Sequence, residues 1–455
     1  MAREQNLSYP RQCSARITGE RPAGIDRSIN NCLPVNPMFS LPPRLRLARA
    51  TAQPVPHALA CVASIATGAL VALAAWYPGH WQVLLLLLPA VWSRVRGRTS
   101  AFAIWIGYYL AGARDIPVVG MRFFSGYGEL TRPEALMLGV AFWIAQACVL
   151  ATPWAVLKPE TNASAARHSG CAAIATMLAT VPPIGIIGWL SPAYVASTLF
   201  PGWKAPGLVL GITATACAAS ISRARFARQL ATLLAILSLL ALSLASAPVA
   251  PSRWTALDTR LGRFDQSSYA SLYARTQQVQ AIAQRAFSKG ATVVVLPEEI
   301  VGLWRPATDY WWRDDIQALA AAQRTLIVGM DLTASDTPFR YTDSAVIVGA
   351  DHGRLDSRQP VPAALWRPGA AVSAIRGSLT QPYVMVAGKS VAFSICYEDL
   401  LWWPHWRILL RSPDVLVSLS NGWFDSDLAL AHIQRQGIAA VARLSGVPSL
   451  HAVNR

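Results

Sequence analysis

From residue 57 to residue 248 the chain is a succession of long apolar runs with almost no charge. From 251 to 455 apolar and polar positions interleave as in an ordinary soluble domain. Helices need about 20 apolar residues to cross a bilayer, and candidate spans fall at roughly 57–77, 81–94, 101–118, 135–155, 170–190, 206–221 and 228–248. The second is the weakest, because Arg94 caps a short run. The pattern therefore predicts about seven membrane helices followed by a domain outside the bilayer. Ala247-Pro248-Val249-Ala250-Pro251 marks the boundary, a stiff proline-bearing exit from the last span.

Beyond that boundary the periodicity changes. Leu272, Val279, Ile282, Ala283 and Phe287 recur near helical spacing and predict a helix over 269–287, ended by Gly290. Residues 291–296 form a short β-branched run, the signal of a buried strand. Similar strands are predicted at 325–330, 344–349, 383–387, 390–395 and 414–419, with helices at 313–323 and 429–444. Strands and helices mixed throughout predict a layered α/β domain.

Composition sharpens the membrane reading. Hydrophobic residues make up 53% of the 455, and only 14% are charged, against about 25% in soluble proteins. The formal net charge of +16 invites a nucleic-acid reading, but its placement argues otherwise. Arg44, Arg46 and Arg49 precede the first run, and Arg94, Arg96, Arg98, Arg223, Arg225 and Arg228 sit in short loops, as the positive-inside rule expects of cytoplasmic segments. A basic groove with interleaved aromatics is not visible, so direct nucleic-acid contact is not expected. With the N-terminus inside and seven crossings, residues 249 onward lie on the far side, the periplasm of a Gram-negative bacterium. Trp189, Tyr194 and Trp203 suit an interfacial belt. Residues 1–50 read as a basic, polar tail without periodicity; no signal peptide is evident, and Met38 stands as an alternative start.

Three reactive groups are predicted at strand ends. The strand 291–296 runs into Pro297-Glu298-Glu299, the strand 390–395 into Cys396-Tyr397-Glu398-Asp399, and the strand 414–419 into Ser420-Asn421-Gly422-Trp423-Phe424. Cys396 is the only cysteine after residue 217, so the domain forms no internal disulfide. A free cysteine is most often a small buried hydrophobe; beside a carboxylate at a neighbouring strand end it makes a base–nucleophile pair. His405, His432 and His451 have no spacing that suits a cysteine–histidine site, and no metal-ligand spacing is visible.

Leu296-Pro297-Glu298-Glu299 and Ile395-Cys396-Tyr397-Glu398 resemble two motifs of the nitrilase (carbon–nitrogen hydrolase) superfamily. The second is most similar to the form found in apolipoprotein N-acyltransferases, and Asn421-Gly422-Trp423-Phe424 followed by His432 resembles the segment that follows there. Within that group the chain looks most like the TraB proteins of plasmid conjugal-transfer systems. The resemblance implies a C-terminal four-layer αββα sandwich over 251–455 behind a transmembrane domain at 51–250. It also implies Glu298 as general base, Cys396 as nucleophile, and Tyr397, Glu398, Asn421 and Trp423 around the substrate. The family lysine has its nearest match in Arg358; guanidinium can hold an oxyanion but not cycle a proton, and Lys389, seven residues before Cys396 on one strand, would stand about 23 Å away. Ala363-Ala364-Leu365 lacks the family's second acid, and Val441-Ala442-Arg443-Leu444 reduces its Arg-Ala-x-Glu helix. The family continues past the point corresponding to Arg455, so either the sequence is a fragment or the domain is cut short there. No cofactor is implied. The implied partners are membrane lipid, a lipid or acylated substrate and proteins of the conjugation apparatus. The alternative is a catalytically inactive scaffold of the same fold.

Overall fold

The computed structural model describes residues 57–128, 130–265 and 268–455. The basic tail and Met38 lie outside them. Every one of the seven apolar runs contains helix: α1 (His57–Ala75), α2 (Leu87–Arg94), α3 (Gly97–Gly112), α4 (Ile116–Gly126), α5 (Arg132–Val156), α6 (Ala165–Thr180), α7 (Val195–Leu199), α8 (Lys204–Ser220) and α9 (Arg225–Leu244). Of these, α1, α5 and α9 are long and apolar enough to cross a membrane. α3 and α6 stop short of the ends the sequence pattern implied, at Gly112 and just before Pro182.

Many apolar side chains of these helices are exposed, among them Leu70, Met137, Ile236 and Leu239, while Trp92, Trp105, Trp154 and Tyr108 are fully buried. Glycine sets the closest crossing. A Cβ at Gly68 of α1 would lie 1.9 Å from the Ile104 carbonyl oxygen of α3, and one at Gly107 would lie 2.2 Å from that of Ile65. Only hydrogen fits at these positions, so the two backbones approach directly.

The C-terminal part adds β1 (Trp254–Ala256), α10 (Tyr269–Ser288), β2 (Val293–Val295), α11 (Pro306–Ala321), β3 (Thr325–Asp336), β4 (Phe339–Gly349), β5 (Gly353–Asp356), β6 (Val372–Ala374), β7 (Val384–Val386), β8 (Lys389–Ile395), α12 (Trp406–Leu410), β9 (Val415–Asn421), α13 (Ala429–Ser445) and β10 (Ser449–Asn454). One sheet runs β1-β2-β3-β4-β5 with β6 beside β4, and the second runs β10-β9-β8-β7. The alternation of side chains along each strand sorts them into separate cores. Val293, Val295, Ile327, Phe393, Ile395, Val417 and Leu419 meet between the two sheets. Val294, Leu326 and Val328 point the other way, onto Val279, Phe287 and Trp312 of α10 and α11. Ala392 and Leu416 point out of the second sheet into a core shared with Ile433, Ile438 and Val441 of α13. That core continues into Leu150, Trp189 and Tyr194 of the helical region, so side-chain packing runs unbroken across residue 250.

Candidate active site

Glu298 follows β2 and is buried, 4% exposed. Its backbone lies against β3 at Gly329, where a Cβ would come within 2.4 Å of the Glu298 Cα. Cys396 follows β8, which is parallel to β9, and it holds a left-handed φ of 47°. This conformation is strained for a side-chain-bearing residue and recurs at functional turns. The thiol lies close enough to the Glu298 carboxyl for each group to shift the other, and the Asn421 N–H at the end of β9 donates to Glu298 Oε2 at 2.8 Å. Three strand ends from two sheets thus bring Glu298, Cys396 and Asn421 together.

The electrostatics are acidic. Burial pushes Glu298 up to about 8, the adjacent Cys396 opposes the rise, and the neighbouring Glu299 adds to it. Burial likewise carries Glu299 to about 7, against donors from Asn421 and Tyr127. Asp343 of β4 lies beside Glu298 and is raised well above the ordinary carboxylate range by burial and by Glu298. Asp331, its partner in the β3–β4 register, is raised by burial and by Glu299. The Cys396 thiol is pushed up by burial and then by Glu298. At neutral pH the resting pair is therefore a thiol beside a largely protonated carboxyl.

Arg358 reaches a different destination from the one its motif position implied. Its guanidinium bonds Glu398 Oε2 at 2.6 Å, the Pro404 carbonyl at 2.9 Å and the Phe393 carbonyl. Among the described hydrogen bonds, none of its donors goes to Cys396 or Glu298. Glu398, expected beside the substrate, is fully buried. It accepts the backbone N–H groups of Arg358, Gln359 at 3.1 Å and Ile395 at 3.3 Å. Burial would raise its pKa, but the Arg358 guanidinium more than reverses this and leaves it lowered. The pair clamps the turn that carries Cys396. The physical reason is that a buried carboxylate needs a cation and filled lone pairs, and Arg358 is the group supplied.

The remaining expected positions divide. Tyr397 lines the cavity described below, with its hydroxyl on the Ile186 carbonyl at 2.9 Å. Asn421 receives the Asn454 amide at 3.0 Å and reaches Glu299 at 3.4 Å. Trp423 packs with Phe123 and Tyr127 of the helical region, centroids 6.4 and 5.8 Å apart, and does not line that cavity. His432 is exposed, while the buried His405 meets the Glu398 carbonyl at 3.0 Å rather than the thiol.

Sequence reasoning passed over Gln434 and Asp343. Gln434 of α13 donates to the Cys396 carbonyl at 2.9 Å and to Ser420 Oγ at 3.0 Å. Beneath it Asp399, held near 7 by burial against its serine donors, accepts from Ser394 at 2.5 Å and Ser418 at 2.8 Å. A polar residue on the inner face of an apolar helix, and an acid opening an apolar strand, were the available signals.

A cavity of about 160 Å³ opens beside Cys396. Its walls are almost wholly apolar, contributed by Phe123, Phe124, Leu138 and Phe142 of α4 and α5, by Trp189 and by Leu400, with Asp425 and Gln434 at its polar margin. Among the described residues no set of three or more His, Cys, Asp or Glu side chains is arranged to hold a metal ion.

No family model matches the chain. It is 29% identical over 388 residues to the probable conjugal transfer protein TraB of Sinorhizobium fredii, covering 82% of this chain and 94% of that one. It is 28% identical to the conjugal transfer protein TraB of Agrobacterium fabrum, covering 90% and 96%. Among solved structures, a carbon–nitrogen hydrolase from Helicobacter pylori is similar at 15% identity and a TM-score of 0.33, over 44% of this chain and 72% of that one. An amidase from a Nesterenkonia species is similar at 14% and 0.32, over 46% and 79%. Along most of its length, then, the chain is a homologue of proteins named TraB for conjugal transfer, and its structural neighbours are carbon–nitrogen hydrolases.

Proposed function

We propose that the chain is a multi-pass inner-membrane protein of conjugative transfer, whose nitrilase-like αββα sandwich at 251–455 faces the periplasm and carries an acyl group on Cys396. The observation that carries this reading is the position of the sulfur. It sits between a buried carboxyl able to take its proton and an apolar cavity walled by the helical region. A carbonyl tethered to a hydrocarbon chain is the substrate that both halves accept.

The chemistry runs in two halves. Ionised Glu298 takes the thiol proton as Sγ bonds to the carbonyl carbon of an amide or ester. The oxyanion collapses, the carbon–nitrogen or carbon–oxygen bond breaks, and the leaving group takes the proton from Glu298. The resulting thioester is attacked by water or an amine, whose proton passes through Glu298 back to the sulfur. Arg358 and Glu398 act on this sequence by holding the turn, and the Asn421 N–H orients Glu298. The acyl acceptor and the headgroup of the donor are not specified by these residues.

A second reading, a scaffold that retains the fold without turnover, is favoured by two observations: the cation nearest in sequence to the family lysine is committed to Glu398, and the thiol is raised rather than lowered. Alkylation of Cys396 by iodoacetamide across pH separates the two. In the acyl-carrier reading the rate climbs through pH of about 8 as Glu298 ionises, and Glu298→Gln slows it by about a hundredfold, in the range of a lost general base. A rate that ignores Glu298→Gln and follows only free hydroxide favours the scaffold.

A further inference from the structure

At the opposite end of the helical region, the loops rich in arginine enclose a cluster that the acyl site does not use. We propose that Lys158, Arg223 and His168 bind the phosphodiester of an anionic membrane lipid. This rests on the membrane reading above, though not on the chemistry of Cys396.

Lys158 Nζ donates to the Ser93 carbonyl at 3.3 Å, and Arg223 donates to the same oxygen at 2.6 Å and to Ser93 Oγ at 3.2 Å. Lys158 also donates to the Pro159 carbonyl at 3.4 Å, so two cations share the Ser93 carbonyl at the C-terminal end of α2 and rest on neutral acceptors only. Helix-end carbonyls attract positive charge, but they carry only about half a unit. Among the described residues no carboxylate pairs with either cation. Lys158 is buried, 6% exposed, and stands 5.2 Å over the ring of Trp92. Burial and the neighbouring Arg223 push its ammonium down to about 8. His168 is fully buried at the edge of the same indole, centroids 6.3 Å apart, and neither ring nitrogen has a hydrogen-bond partner. A buried cation and an unsatisfied imidazole each cost stability until an anion or acceptor arrives.

The surroundings favour a lipid phosphate over a free one. Arg94, Arg96, Arg98, Arg167, Arg225 and Arg228, each within five residues of Ser93, His168 or Arg223 in the chain, are exposed and make the neighbouring surface a basic rim. Within that rim Phe226 is 72% exposed, so the basic rim runs directly into an apolar flank. Basic pockets between membrane helices on the cytoplasmic side are where anionic headgroups bind.

The test uses the full chain in nanodiscs of phosphatidylcholine with and without phosphatidylglycerol, read by Trp fluorescence and by lipid retained on detergent extraction. Wild type is expected to retain phosphatidylglycerol preferentially. Lys158→Gln and Arg223→Gln should each weaken retention about fivefold, whereas Arg96→Gln and Arg98→Gln on the exposed rim have smaller effects. His168→Gln, which keeps polarity without the ring, provides a variant that disturbs packing least. Preference that survives Lys158→Gln together with Arg223→Gln, in a protein still folded by near-ultraviolet dichroism, overturns the site. Inorganic phosphate that displaces the lipid at equal concentration overturns the lipid source and assigns the site to free phosphate. A chain released from membranes by carbonate would instead sink the membrane reading itself, an outcome separate from loss of lipid preference in a retained chain.

Discussion

At the scale of single residues, the acidity around Cys396 decides what the site can do. Glu298 titrates at its ordinary 4.5 when unfolded and near about 8 when folded. The folded state holds this proton more tightly, so the group's contribution to stability is complete below 4.5 and is lost as pH rises through about 8. Glu298→Gln removes that loss. The variant is expected to melt higher than wild type above pH 8, by on the order of several degrees, and to match it at pH 4.5. Thermal unfolding in detergent across that range checks this, and an unchanged difference at both ends would mean that Glu298 is not held protonated by its surroundings. Glu298 and Cys396 were legible in the sequence because each ends a β-branched run, and strand ends from neighbouring sheets converge. The direction of Arg358 was not legible. Its placement depends on Glu398, whose burial nothing in its polar neighbourhood announces.

At the scale of elements, hydrophobic periodicity placed α10, α13, β8 and β9 close to their observed bounds, since each is long enough for its period to repeat, while β3 runs six residues past its predicted end into the exposed polar stretch to Asp336. It missed β1, β5 and β6, which have only three or four residues, and β10, whose Ser449 and His451 interrupt the apolar pattern. Such strands exist because their neighbours supply the ladder, which is information a local window lacks. The turn after β8 is the element on which the site depends, and the Arg358–Glu398 pair fixes it. Arg358→Ala strands a buried carboxylate and is expected to cost about 3–5 kcal/mol, measured by denaturant unfolding. Arg358→Lys should recover only part of this, because an ammonium cannot reach Glu398 and two carbonyls at once. A neutral Arg358→Ala would show that the clamp contributes nothing.

At the scale of the whole molecule, the proposed orientation draws on the exposed apolar side chains of the helical region and on the arginine-bearing loops. The core that joins α13 to that region lies beside the apolar cavity walled by α4 and α5. Side-chain packing therefore continues across residue 250, where composition changes. The proposed topology predicts that alkaline phosphatase fused after residue 250 is active and that green fluorescent protein at the same point stays dark. The reverse pattern would put the domain in the cytoplasm.

The central claim is that Cys396 carries an acyl group drawn from the membrane. Intact-mass analysis of the full chain purified from membranes, before and after neutral hydroxylamine, tests it most directly. The account predicts a hydroxylamine-labile fatty-acyl adduct that maps to Cys396 and is lost in Cys396→Ser. A chain that carries no adduct, even when supplied with phospholipid above pH 8, would contradict it.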